Sequence, residues 1–280
     1  MKAIQIYCRV SLLIFFAVAW WMFDCAGELT IARTLKEKSP IELAPELQRA
    51  LRGCGDPQVA AELTPSLREF ALLLPTAADR AEMSFALQRD YLFMAAYALA
   101  YLGLAALLYM RVGVPGAALA ASLTLITVAC DLGENYHTFA PLQRLQGDYR
   151  LDGSMQGAAA TTPELEGDPQ IGSVMKAKSW CSRGKWIFFS ALNVTVAFVF
   201  LRTRRFSADL AGLLLALGGI IGVIGSVFPA FIGWSVLMVF LGAILGTCIL
   251  LGPAYWERLR IVSPSGTSQK REPSGGVAMA

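Results

Sequence analysis

Apolar residues in this chain gather into long runs separated by polar stretches, and several runs approach the ~20 residues a helix needs to cross ~30 Å of hydrocarbon. The first, residues 10–23 (VSLLIFFAVAWWMF), follows Lys2 and Arg9. It predicts a span that begins before Arg9, whose long side chain can snorkel, and closes unit 1–23. A cleaved signal peptide is the alternative, because a charged start precedes a compact apolar core. Against it, no small-x-small site precedes DCAGELT, and the Trp20–Trp21 pair suits an interfacial anchor. Residues 91–110 predict a second span, and about 114–131 a third, with Pro115 in its first turn. Residues 186–201 predict a fourth, its helix starting upstream because 16 apolar residues give only about 24 Å. The run 210–252 is too long for one crossing, and Pro229 and Gly233 divide it into a hairpin of two. The pattern predicts an all-α, polytopic transmembrane bundle of about six spans: a core at 91–202 and a C-terminal hairpin at 203–252.

The polar stretches differ from one another. Segment 24–90 carries helix starts at Ser39 (SPIE), Asp56 (DPQV), Thr64 (TPSL) and Thr76 (TAAD), the last able to run into the second span. It predicts a small set of short helices outside the membrane. Residues 132–185 are expected to form an outer loop, of which 151–170 lacks apolar periodicity. The tail, 253–280, is Ser/Gly/Pro-rich from 263 and reads as disordered.

Composition agrees with lipid. Of 280 residues, 55% are hydrophobic and 16% charged, against roughly 25% charged in soluble domains. A net charge of +3, scattered along the chain, gives no footprint for nucleic acid. Six cysteines without a C-x-x-C pair, and one histidine, exclude a structural zinc site and a c-type haem; no motif implies a cofactor. Lys2, Arg9, Arg111, Arg202, Arg204, Arg205, Arg258, Arg260, Lys270 and Arg271 fall on one side if both termini are cytoplasmic. That places 24–90 and 132–185 outside the cytoplasm, in a bacterial inner membrane.

Candidate chemistry lies where the third span ends, in ITVACDLGENYHTFAPL (126–142). Asp131, Glu134 and Asn135 stand at i, i+3 and i+4, one helix face, and His137 follows within a turn. The fourth span brings Lys178 and Lys185, seven apart, to a matching depth, with Asp90 at the start of the second span at the same level. An embedded charge is costly unless paired, so an intramembrane salt bridge from Lys185 to Glu134 or Asp131 is expected. A structural pair, a pocket for a lipid head group, ion or small solute, and acid–base chemistry at Glu134 with His137 are the alternatives, in that order. No catalytic or metal site is assigned. Cys25 and Cys54 are a candidate disulfide outside. Gly218, Gly222, Gly242 and Gly246 form a small-residue stripe for packing the hairpin on itself, or for homo-oligomerisation.

Asp131-Leu-Gly-Glu134-Asn135, then Ser179 and Lys185-Trp186, with Asp90-Tyr91 before the preceding span, resemble a family of uncharacterised bacterial multi-pass membrane proteins. That family carries a D-x-x-E-N motif followed by an S-x5-K-W helix start. The resemblance covers roughly 76–200 and implies the fold and the polar cluster, without an activity. Its pattern has a shorter loop between the motifs and no C-terminal hairpin. A binding protein, an assembly subunit of a membrane complex and a membrane-embedded enzyme all fit the sequence.

Overall fold

The computed structural model describes residues 2–25, 27–37, 45–145, 148–149, 155–156, 168–201, 206–253 and 255–256. The helix start at Ser39–Glu42, the basic group Arg202, Arg204 and Arg205, and the tail beyond 256 lie outside the described residues.

Ten α-helices account for nearly all of the described chain. They are α1 (Lys2–Asp24), α2 (Thr30–Glu37), α3 (Pro45–Leu51), α4 (Pro57–Leu63), α5 (Leu67–Leu73), α6 (Ala77–Val112), α7 (Val114–Arg144), α8 (Pro169–Ala197), α9 (Phe206–Val227) and α10 (Ile232–Leu251). Between α7 and α8 the backbone makes one two-residue antiparallel pairing, Asp148–Tyr149 with Met155–Gln156.

Five of these helices, α1, α6, α7, α9 and α10, are long and apolar enough to cross a membrane. The chain is an integral membrane protein built as an all-α bundle. The sixth expected span is α8. It does not qualify on composition, because its 29 residues include Lys178, Arg183 and Lys185. It is held in place by neighbours instead, packing along α7 on one side and α9 on the other. The order around the bundle is α1, α6, α7, α8, α9, α10. It closes where Phe16 of α1 meets Phe240 of α10 (ring centroids 6.1 Å) and Arg9 Nε donates to Leu250 O (3.2 Å).

Three helices are too long for the bilayer alone. At 1.5 Å per residue, the 36 residues of α6 reach roughly 54 Å and the 31 of α7 roughly 46 Å. Their surplus builds a second hydrophobic core. Met83 and Leu87 of α6, Leu142 and Leu145 at the end of α7, and Ile171 and Met175 of α8 pack with Leu47, Ala60, Phe70 and Leu73 of the short helices. This cap is rooted in the bundle, a correction to the expected outer loop at 132–185. The third helix continues to Arg144 and the fourth begins at Pro169, so the polar motif lies inside helices.

Local signals explain these boundaries. Asp56 caps α4 by accepting from the Gln58 N–H (2.8 Å), with Pro57 at the first helical position. Ser66 caps α5, while Thr64 closes α4. Thr76 and Asp79 form a reciprocal capping box that starts α6 (3.0 and 3.1 Å). At the far end of α6, Gly113 takes φ +84° and its N–H reaches Tyr109 O, letting α7 start at once with Pro115 in its first turn.

The glycine stripe is consumed inside the chain. A Cβ at Gly218 would stand 2.8–2.9 Å from Val239, at Gly222 2.2 Å from Ser190 Oγ, at Gly242 3.0 Å from Leu215, and at Gly246 2.7 Å from Phe200. These positions let α9 lie against α8 and α10 at backbone distance, which leaves none of the four for a second copy.

Candidate functional site: a buried ionic cluster

The cluster depends on how closely α7 and α8 approach. Each helix carries the sequence C-x-x-G, Cys130–Gly133 and Cys181–Gly184. The two interlock reciprocally: a Cβ on Gly133 would stand 2.9 Å from Cys181 Sγ, and one on Gly184 3.1 Å from Cys130 Sγ. Each thiol fills the notch left by the opposite glycine. One residue beyond these contacts stand Glu134 and Lys185.

Lys185 Nζ lies 2.6 Å from Glu134 Oε2, 3.0 Å from Asp131 Oδ1 and 3.5 Å from Glu62 Oε2. The three carboxylates come from α7 and from α4 of the cap, so one ammonium ties bundle to cap. Burial is deep: Glu134 is 0% and Asp131 3% exposed. The second Asp131 oxygen accepts from Tyr97 Oη of α6 (3.0 Å). Asn135 Nδ2 donates to Asp90 Oδ2 (2.8 Å), bringing a further α6 carboxylate to the edge of the group. Glu134 Oε1 is buried and has no hydrogen-bond partner among the described residues. Three acids against one base leave the core of the group formally two charges negative.

The other residues singled out from the sequence stand elsewhere. Lys178, fully buried, pairs with no acid among the described residues. Its Nζ donates to Ala61 O and lies 4.6 Å over the Phe70 ring, and Ser179 Oγ donates to Leu63 O (2.8 Å). Both groups satisfy carbonyls in the last turn of α4, which a helix leaves unpaired. His137, one turn beyond Glu134, is half-buried and stands edge-on to Tyr136 at 5.2 Å. The ion pairs of Lys185 are with Glu62, Asp131 and Glu134 and do not involve it.

Cys25 and Cys54 are free thiols. Cys54 sits in the cap core, where burial pushes its pKa up and slows its reaction with a partner thiol. Among the described residues no group of three histidines, cysteines or acids is arranged to hold a metal ion.

Sequence reasoning missed Glu62 and Tyr97. Glu62 is the acid of a short amphipathic helix, the kind of position that normally faces water, and only the docking of the cap turns it inward. Tyr97 looks like any aromatic of an apolar span. Its depth, seven residues or about two turns after Asp90, is the signal that could have found it. Tyr97→Phe removes one hydrogen bond to a buried carboxylate. It is expected to cost about 1.5–3 kcal/mol, read as a lower melting temperature in detergent with an unchanged helical spectrum.

No protein-family profile, characterised protein or solved structure matches the chain, so the functional reading rests on the geometry of this cluster.

Proposed function

We propose that this protein is a multi-pass inner-membrane protein that binds and releases protons at the Glu134–Asp131–Lys185 cluster, with both termini cytoplasmic and the cap outside. The orientation is supported by Arg9 and Arg111, which lie at the end of the bundle opposite the cap. There they donate to Leu250 O and Leu201 O (3.2 and 3.3 Å), in keeping with the cytoplasmic bias of basic residues.

The observation that carries the reading is Glu134 Oε1: buried, without a hydrogen-bond partner among the described residues, and part of a group with more acids than bases. Buried like charges in low dielectric cannot all remain ionised, so the group needs a neutralising cation. Lys185 already occupies the centre, where a metal ion would have to displace it. A proton needs no such room. The groups facing Glu134 are Lys185 and the more distant Lys178 on α8, Glu62 on α4, Asp131 on its own helix, and Asp90 and Tyr97 on α6 behind Asp131. Intramembrane carboxylates arranged in this way serve proton relays.

Infrared difference spectra of the protein in nanodiscs, taken between pH 5 and pH 9, test the proposal. A carboxylic C=O band should appear on acidification, and it should weaken or shift in Glu134→Gln. A spectrum without pH-dependent carboxyl bands overturns the reading and leaves a static ion pair that fixes α7 on α8.

A further inference from the structure

Two residues before Lys185, and about 200° around α8 from it, Arg183 points into a different place. A cleft of about 370 Å³ opens between Arg52 and Leu63 of the cap, Arg183, and the α9–α10 turn at residues 226–231. That volume is of the size that takes small ligands. Its chemistry is two-sided. One wall carries two guanidinium groups; the other is apolar, with Val227 and Phe228 exposed.

Arg183 has no ion-pair or hydrogen-bond partner among the described residues, and its Nε is buried without one. Among the described residues Arg52 makes a single ion pair, with Glu69 at 2.8 Å, which leaves most of its five donors for a ligand. Arg52 also adopts φ +52°, followed by Gly53 at +74°. The first of these left-handed positions is one where glycine would be at ease and arginine is strained. The side chain at that position has a use that the turn itself does not require. Gly53 meets the α9–α10 turn at Ala230, where an added Cβ would stand 3.4 Å from the alanine methyl.

We infer that this cleft is a binding site for one anionic phospholipid, its phosphate held by Arg183 and Arg52 and its acyl chains running down past Val227 and Phe228. Charge complementarity selects the class. The site has one uncompensated cation, which a phosphodiester of charge −1 matches, and guanidinium binds phosphate oxygens in a forked geometry. A zwitterionic lipid would bring its own cation to a site that already has one. The apolar wall and the membrane-spanning bundle beneath it favour a lipid over a soluble phosphate.

Native mass spectrometry of the full chain, released from micelles doped with phosphatidylglycerol or phosphatidylcholine, tests this. One phosphatidylglycerol per chain should be retained, with phosphatidylcholine at least tenfold weaker. Arg183→Gln should lower phosphatidylglycerol retention at least tenfold. Ala230→Trp, which fills the cleft from an exposed position and leaves both arginines in place, should do the same. Glu134→Gln should retain the lipid as the parent does, separating this site from the proton cluster. Equal retention of both lipids, retention in both cleft variants, or displacement of phosphatidylglycerol by millimolar inorganic phosphate would each overturn the inference.

Discussion

Lys185→Met is expected to be the most damaging single substitution in the cluster. It is expected to cost about 3–5 kcal/mol, the range for removing one partner of a buried ion pair. The physical reason is the imbalance of the site. Glu134, Asp131 and Glu62 all converge on Lys185 Nζ within 3.5 Å, so its loss strands three acids at once. Removing an acid has the opposite character. Glu134→Gln leaves Lys185 paired with Asp131 and Glu62 and relieves part of the negative excess, so its cost should stay well below that of Lys185→Met. The triple variant Lys185→Met, Asp131→Asn, Glu134→Gln should recover much of the lost stability. Glu62, 8% exposed at the cap interface, is the carboxylate best able to find water. Melting temperatures and yields of the four proteins in one detergent give the comparison. Equal losses for Lys185→Met and Glu134→Gln would mean that the site behaves as a simple pair.

The other buried and half-buried cations show why Lys185 stands apart. Arg80 donates to Leu74 O (3.2 Å) after α5, Arg89 to Cys25 O after α1, and Lys178 to Ala61 O in α4. Arg9 and Arg111 close α10 and α8 at the opposite end. All five meet helix C-termini, where unpaired carbonyls and the negative end of the dipole favour a cation. They are structural uses of charge that need no ligand. Among the described residues Lys185 and Arg183 meet no such carbonyl, and the proposed proton cluster and lipid site rest on these two cations.

This division explains what could be read before the fold was known. The apolar runs reveal the bundle because spanning a bilayer imposes length and composition on each helix separately. The Asp131–Glu134–Asn135 face and its match to Lys185 follow from helix periodicity and depth, both one-dimensional quantities. What could not be read depends on docking. Glu62 joins the cluster only because α4 lies on α8, and Lys178 leaves it because its ammonium is taken by the last turn of α4. The apolar run at 114–131 is shorter than α7 for a related reason. The last turns of α7, through Pro141 to Arg144, are stabilised by the cap core rather than by lipid, and hydropathy does not register that. The glycine stripe showed close packing but not its partner, since small residues fit a neighbouring helix and a second copy equally well.

Gly133→Leu is expected to separate α7 from α8, lowering stability by several kcal/mol and dismantling the cluster with it. A Cβ alone would stand 2.9 Å from Cys181 Sγ, a distance that real side chains do not sustain. A full leucine must move one helix away from the other, and overpacking of this kind costs about 1–3 kcal/mol before any interaction is lost. Here more is lost, because Glu134 is the next residue along α7 and its 2.6 Å contact with Lys185 depends on that approach. Alanine at the same position isolates the steric part. In an unhindered helix Gly→Ala gains about 0.5–1 kcal/mol; against Cys181 Sγ that gain should vanish or reverse. Cys181→Ala removes the sulfur and leaves the Cβ at 3.7 Å, ordinary contact, so in that background Gly133→Ala should stabilise. A change of sign between the two backgrounds, measured by thermal denaturation in a double-mutant cycle, places the Cys181–Gly133 notch at the origin of the site. Stabilisation of equal size in both would mean that α7 and α8 are not held together there.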